Sequence, residues 1–250
     1  MTHTSSLEQN KIAFAQAIER VTRDGGIGTL GEKILHAVIK QYIEPNPEKR
    51  EVKVGQWVAD VFNDEGITEI QTRSYEKLRK KLPDLLDTSP VTVVLPLPHK
   101  KILYWVDPTT GERSEGRKSP KTGRPHDGLR ELVKIRDFLG NPRLNVLILL
   151  IDIEEYRNLD GWGKGGKRGS SRKDRIPTGL VAEYLLERRE DYAVFLPELP
   201  DEFTLKEFLK ASKLNQKRGT AGLYILRELD LVRQIGKRGR ENLYQVCLNN

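Results

Sequence analysis

Apolar and polar positions alternate twice in close succession, over Trp57-Val-Ala-Asp-Val-Phe62 and again over Ile67-Thr-Glu-Ile-Gln-Thr72. A period of two is that of a strand with one buried face, and the Asn63-Asp-Glu-Gly66 between the two runs favours a turn, so the pair predicts a β-hairpin. On either side the period lengthens to that of a helix over Leu7 to Val21, Thr29 to Tyr42 and Tyr75 to Asp87. Val91 to Leu95 and Ile102 to Val106 read as strands, the second running into the Pro108-Thr-Thr-Gly111 turn. A helix from Asp127 to Leu139, the apolar strand Asn145 to Ile153 and a helix opened by Ile176-Pro177 are expected next. The C-terminal part predicts two tandem helices, Phe203 to Leu214 and Gln216 to Leu229. Two short strands follow, Leu231 to Ile235 and Asn242 to Val246, around Gly236-Lys-Arg-Gly-Arg-Glu241. No internal repeat is evident.

The hairpin carries the most specific chemistry. If Phe62 pairs with Ile67, then Val61 meets Thr68 and Asp60 meets Glu69, and directly opposed side chains on adjacent strands have Cβ atoms about 4.5 to 5.5 Å apart. Two like charges so placed destabilise a sheet unless a cation lies between them. Glu69 and Gln71 are two residues apart and share a face, which makes the polar set one-sided. Hard divalent cations prefer carboxylate oxygens, can activate a water and neutralise a phosphate, so the pattern suggests phosphodiester hydrolysis. The alternative reading makes Asp60 and Glu69 solvated strand positions, and a three-residue loop would shift the pairing by one.

The order of helix with Glu32, strand with Asp60 and strand with Glu69-Ile70-Gln71, followed by another helix, resembles the PD-(D/E)XK, or restriction-endonuclease-like, nuclease superfamily over residues 28 to 106. The resemblance implies that Asp60 and Glu69 bind Mg²⁺ or Mn²⁺, that Glu32 completes the site directly or through water, and that Gln71 orients the attacking water. The Ile70 carbonyl is a further candidate ligand. Gln71 stands where the family has Lys, and an amide supplies hydrogen bonds but no positive charge. Arg73, Lys77 and Lys81 follow as candidates for a displaced cation. Thr29-x-x-Glu32 also reads as a capping box, with Glu32 reaching back to the first turn.

Charge narrows the partner. The 250 residues carry a net charge of +7 at pH 7, and a pI near 9.3 favours a polyanion. Two regions concentrate the positive charge. Trp162 to Arg175 is a glycine-rich stretch with Lys164, Lys167, Arg168, Arg172, Lys173 and Arg175, suited to phosphates but without the spacing of a nucleotide-binding loop. In the C-terminal part, Gln216, Lys217, Arg218 and Thr220 gather at a helix start, the end that enters the major groove in helix-turn-helix proteins. Lys237, Arg238 and Arg240 sit in the glycine-flanked connection between the last strands, which resembles the wing of a winged helix, a module that also serves protein contacts.

A single cysteine, Cys247, permits no internal disulfide and argues against a cysteine-rich zinc site. No apolar run is long enough to span a membrane, and Leu7 to Val21 is too charged for a secretory signal, so a cytoplasmic location with no membrane partner is expected. The expected organisation is an N-terminal helix (1–27), a nuclease-like domain (28–160), a basic linker (161–175) and a winged-helix domain (176–250). The fold class is α/β, a restriction-endonuclease-like mixed central sheet flanked by helices and followed by a winged helix-turn-helix domain. The expected activity is metal-dependent nucleic-acid hydrolysis on duplex DNA, alone or as a homodimer or larger complex. The competing readings are a catalytically inactive DNA-binding scaffold and an RNA-directed nuclease.

Overall fold

The computed structural model describes residues 2–25, 34–72, 75–161 and 169–247. The chain has a mixed α/β fold. It opens with helices α1 (Thr2–Gly25) and α2 (Ile34–Ile43), followed by strands β1 (Arg50–Val54), β2 (Trp57–Asn63) and β3 (Gly66–Ile70). Helix α3 (Tyr75–Thr88) leads to β4 (Val91–Val106) and the short β5 (Arg117–Lys118). After α4 (Leu129–Leu132) come the long strands β6 (Leu144–Asn158) and β7 (Arg172–Leu186). The last elements are β8 (Glu202–Thr204), α5 (Leu205–Ser212), α6 (Gln216–Glu228), β9 (Val232–Arg238) and β10 (Glu241–Val246). Seven strands form one sheet in the order β1-β2-β3-β4-β6-β7, with β5 added to β4, and the last three form a second sheet in the order β8-β10-β9.

The β2–β3 hairpin has the register read from the alternation: Phe62 faces Ile67, Val61 faces Thr68, and Asn63 faces Gly66 across a two-residue turn. Asn63 Oδ1 accepts the Glu65 N–H at 3.0 Å, and Gly66 takes φ 119°, a conformation that side chains rarely adopt. All five residues of β3 are buried, and β3 pairs in parallel with β4 from Ile67 opposite Val91 to Ile70 opposite Val94. Parallel neighbours need a crossover, and α3 supplies it, burying Leu78, Leu82, Leu85 and Leu86. β3 therefore reads Gly-Ile-Thr-Glu-Ile with a carboxylate in an otherwise closed strand.

Several elements differ from their expected form. Val91 to Val106 is one continuous strand, its Pro96 and Pro98 included. The helix expected over Asp127 to Leu139 breaks into 3-10 turns on either side of α4, with Ile135 at φ −114°, ψ 19°. Ile176-Pro177 opens no helix: both residues lie inside β7, which also takes in 172–175, the end of the expected linker, while 162–168 lie outside the described residues. β7 ends the hydrogen-bonded order, and a proline on an edge strand costs no ladder bond.

The chain divides into two compact units that interleave along the sequence. One comprises Met1–Arg50, Pro96–Arg124 and Leu149–Glu183; the other comprises Glu51–Leu95, Pro125–Ile148 and Tyr184–Asn250. In the first, Phe14 of α1 meets Tyr42 of α2 edge-on at 5.3 Å, and Tyr42 donates to Glu183 Oε1 of β7 at 2.8 Å. In the second, α6 packs on α5 and on the segment around α4, where Gly222 lets the helix approach Leu129. Asn215 and Thr204 cap α6 and α5, the latter in a reciprocal capping box with Glu207. Among the described residues no helix is long and apolar enough to cross a membrane.

Candidate functional site

The hairpin ladder gives way to side chains where the acids begin. Asp60 Oδ2 accepts the main-chain N–H of Ile70 at 2.7 Å, and the Asp60 N–H donates to Glu69. Each carboxylate is thus tied to the backbone beside the other. Ile70 enters the site through its amide.

Glu69 is 1% exposed and forms an ion pair through Oε2 with Lys81 Nζ, which α3 delivers from the crossover. Lys81 also lies 3.4 Å from the Val58 carbonyl. The other carboxylate oxygen, Glu69 Oε1, is buried without a hydrogen-bond partner. Burial and the adjacent Asp60 charge push the Glu69 carboxyl up to about 7, against the opposing pull of Lys81 and the Asp60 amide. With Glu69 ionised, two acids and one ammonium leave a net negative charge and an orphaned acceptor, a donor set that fits a hard divalent cation. Gln71 is half-buried, its N–H given to Val94 O at 2.9 Å.

Glu32, the helical carboxylate expected to complete the set, lies outside the described residues, as do Arg73, Lys164, Lys167 and Arg168. Among the described residues no group of three or more His, Cys, Asp or Glu side chains is placed to hold a metal ion. The structure therefore brings together Asp60, Glu69 and the cation from Lys81.

The basic candidates fall in two places. Arg172 and Arg175 on β7 join Lys101 of β4 and Arg157 of β6 around Glu155, which is 0% exposed. Lys173 is exposed. Arg157 grips Glu155 Oε1 through Nε and Nη2 at 2.9 and 2.6 Å, and Arg175 Nε donates to Oε2 at 3.1 Å. The Glu155 carboxyl is destabilised as an anion by burial, but these cations outweigh that and hold it down at about 2. The sequence signal was available: Glu155-x-Arg157 places two opposite charges on the strand face that otherwise carries Leu147, Leu149, Ile151 and Ile153, and only the fold adds Lys101.

On α6, Gln216, Lys217 and Thr220 are exposed, whereas Arg218 is held by Asp127 at 3.0 Å. Tyr224 and Arg227, not anticipated from the helix start, extend the exposed stripe at helical spacing after Lys217 and Thr220. Lys237, Arg238 and Arg240 are exposed, with Arg238 paired to Glu207 at 3.1 Å.

A protein from Treponema pallidum (strain Nichols), described as "Uncharacterized protein", is 28% identical over 221 residues, covering 88% of this chain and 87% of that one. No solved structure matches the chain. The family model described as "Domain of unknown function (DUF8091)" matches residues 33–187, which begin beside α2, end just after β7 and contain Asp60, Glu69, Lys81 and Glu155. The chain belongs to this DUF8091 family.

Proposed function

We propose that the protein is a metal-dependent phosphodiester hydrolase acting on DNA, of restriction-endonuclease-like design. The observation that carries this reading is Glu69: buried, with one oxygen paired to Lys81, the other without a partner, and Asp60 tied in beside it. Asp60 and Glu69 would hold Mg²⁺ or Mn²⁺, whose chemistry there is to neutralise phosphate oxygens and acidify a water. Lys81 supplies the positive charge that Gln71 lacks, so the cation of the Glu-x-Lys pattern is moved from β3 to α3. Gln71, the first residue after β3, would orient a water through its amide. Ile70 holds Asp60 in place by its N–H.

The C-terminal elements support a substrate-gripping role. β8, α5, α6, β9 and β10 follow the order of a winged helix, and α6 exposes Lys217, Thr220, Tyr224 and Arg227 in one stripe. Such a stripe offers cations to phosphates and a ring to bases or sugars. The Lys81–Glu69 pair also favours a second reading, a non-catalytic nucleic-acid-binding protein in which the ammonium takes the place of a metal.

Incubating the full chain with supercoiled plasmid and with labelled duplex, single-stranded and RNA oligonucleotides separates the two. Cleavage that requires Mg²⁺ or Mn²⁺, stops with chelator and is lost in Asp60→Asn while binding persists is the expected result. Binding without cleavage under every metal condition would sink hydrolysis and leave the second reading.

A further inference from the structure

We propose that the sheet face carrying Tyr104 and Tyr156 binds single-stranded nucleic acid, the rings stacking with unpaired bases while Arg113 and Lys118 meet the phosphates. The two rings stand on the adjacent strands β4 and β6 and stack with centroids 5.1 Å apart and planes 17° from parallel. The Arg113 guanidinium lies 4.5 Å from the centroid of the Tyr104 ring and donates to the Tyr156 hydroxyl at 3.2 Å. Both hydroxyls donate to Glu154, at 2.7 Å from Tyr156 and 3.4 Å from Tyr104. Polar contacts at its edge thus fix the ring pair in advance of any ligand, which lowers the entropy lost on binding.

This face is partly open. Along β6, Ile151, Ile153 and Glu155 are buried, whereas Asp152, Glu154 and Tyr156 on the opposite face are only half-buried. Earlier on that same face Val146, Ile148 and Leu150 are closed off, so the rings lie where the covering of the strand ends. Lys118 stands across from Ile102 and Arg113 across from Val106, which puts both exposed cations on the face of Tyr104. Gly116 adjoins them, and a Cβ there would come within 2.8 Å of the Tyr104 ring. The acids of the face are engaged: Glu154 by the two hydroxyls, and Asp152 Oδ1 by His99 Nδ1 and the Lys100 N–H, each at 2.8 Å. Arg113 instead touches a ring and a hydroxyl, so its charge meets no carboxylate directly. Aromatic rings beside cations suit a single strand, because the bases of a duplex are already stacked on one another and offer no free face. The inference does not depend on hydrolysis at Asp60 and Glu69.

The test uses the full chain in chelator, so that no cleavage intervenes, with a short labelled strand as DNA, as RNA and as duplex DNA. Tyr156→Leu is expected to weaken single-strand binding about tenfold with the salt slope preserved, and Tyr156→Phe to retain it, since a base stacks on either ring. Arg113→Gln with Lys118→Gln should reduce the slope of log affinity against log salt by about 1 to 2. Duplex affinity is expected to stay unchanged in all three. Whichever of DNA and RNA shows the Tyr156 dependence is the ligand. If Tyr156→Leu melts too low to compare, the wild type is photocrosslinked to a strand carrying 5-bromouracil, and mass spectrometry is expected to place the adduct on Tyr104 or Tyr156. No single-strand binding by the wild type, equal affinity in wild type and variants, an equal loss on duplex, or adducts confined to other residues would overturn the proposal.

Discussion

Lys81 of α3 and Glu69 of β3 form an ion pair in which the carboxylate is 1% exposed and the ammonium 17%. The helix that bridges two parallel strands thus brings a cation to the acid of the first strand. Removing one member of a buried pair costs more than the pair contributes, because the other charge is stranded. Lys81→Met is therefore expected to lower stability by up to about 3 kcal/mol at alkaline pH, where Glu69 is forced to ionise. The loss should shrink at neutral and acid pH, where Glu69 takes up a proton, and Glu69→Gln in the same chain should restore much of it at alkaline pH. Urea unfolding of the three variants at alkaline and acid pH measures this; an equal loss at both would mean that Glu69 is not the stranded charge.

Glu69 also sets a pH dependence of opposite sign for folding and for metal. Its folded carboxyl, raised from 4.5 to about 7, holds a proton that the unfolded chain has already released between those values. The stability this contributes is fully present below about 4.5 and is lost as pH rises through about 7. A divalent cation needs the ionised form, so affinity for Mn²⁺ should fall by up to about tenfold per pH unit below about 7. Calorimetric titration across that range checks it. A flat affinity profile would place the cation elsewhere.

Gly66 is held by its backbone. It takes φ 119° at the end of the hairpin turn, and a Cβ there would lie 2.5 Å from the Pro90 carbonyl, which accepts the Ile67 N–H at 2.9 Å. Gly66→Ala combines strain with a backbone clash and should cost about 2 to 3 kcal/mol. Because the turn sets the register that places Asp60 beside Glu69, metal binding should weaken together with stability. A variant with wild-type melting and wild-type Mn²⁺ affinity would show that the strand can shift freely.

How far the sequence reveals such features depends on the range of the interactions. The Phe62–Ile67 register was legible because a two-residue turn and a period of two leave little choice. Lys81 could be named as a source of charge, but only the crossover through α3 selects it from its basic neighbours. Lys101 and Glu155 are far apart in sequence, and no local pattern joins them. Ile176-Pro177 looked like a helix start because Pro is favoured there; the ladder to the large sheet, a long-range interaction, prevailed. Arg218 looked like its exposed neighbours, and its partner Asp127 lies on a distant segment.

Arg218 and Arg227 on α6 should therefore behave differently although both are arginines of one helix. Arg218 is paired with Asp127, whose side chain is 12% exposed, and Arg218→Gln should lower stability by about 1 kcal/mol with little change in the salt dependence of DNA binding. Lys217 and Arg227 lie on the exposed stripe with Thr220 and Tyr224, Arg227 over the Tyr244 ring at 6.0 Å, so Lys217→Gln with Arg227→Gln should lower the melting midpoint only slightly. If both cations contact phosphates, the same double change lowers the slope of log affinity against log salt by about 2, and Tyr224→Ala weakens binding with the slope preserved. Fluorescence anisotropy over a salt series, alongside thermal melts, resolves the two classes. An unchanged slope in the Lys217 and Arg227 variant would remove α6 from the DNA-contacting surface, whatever the outcome for cleavage.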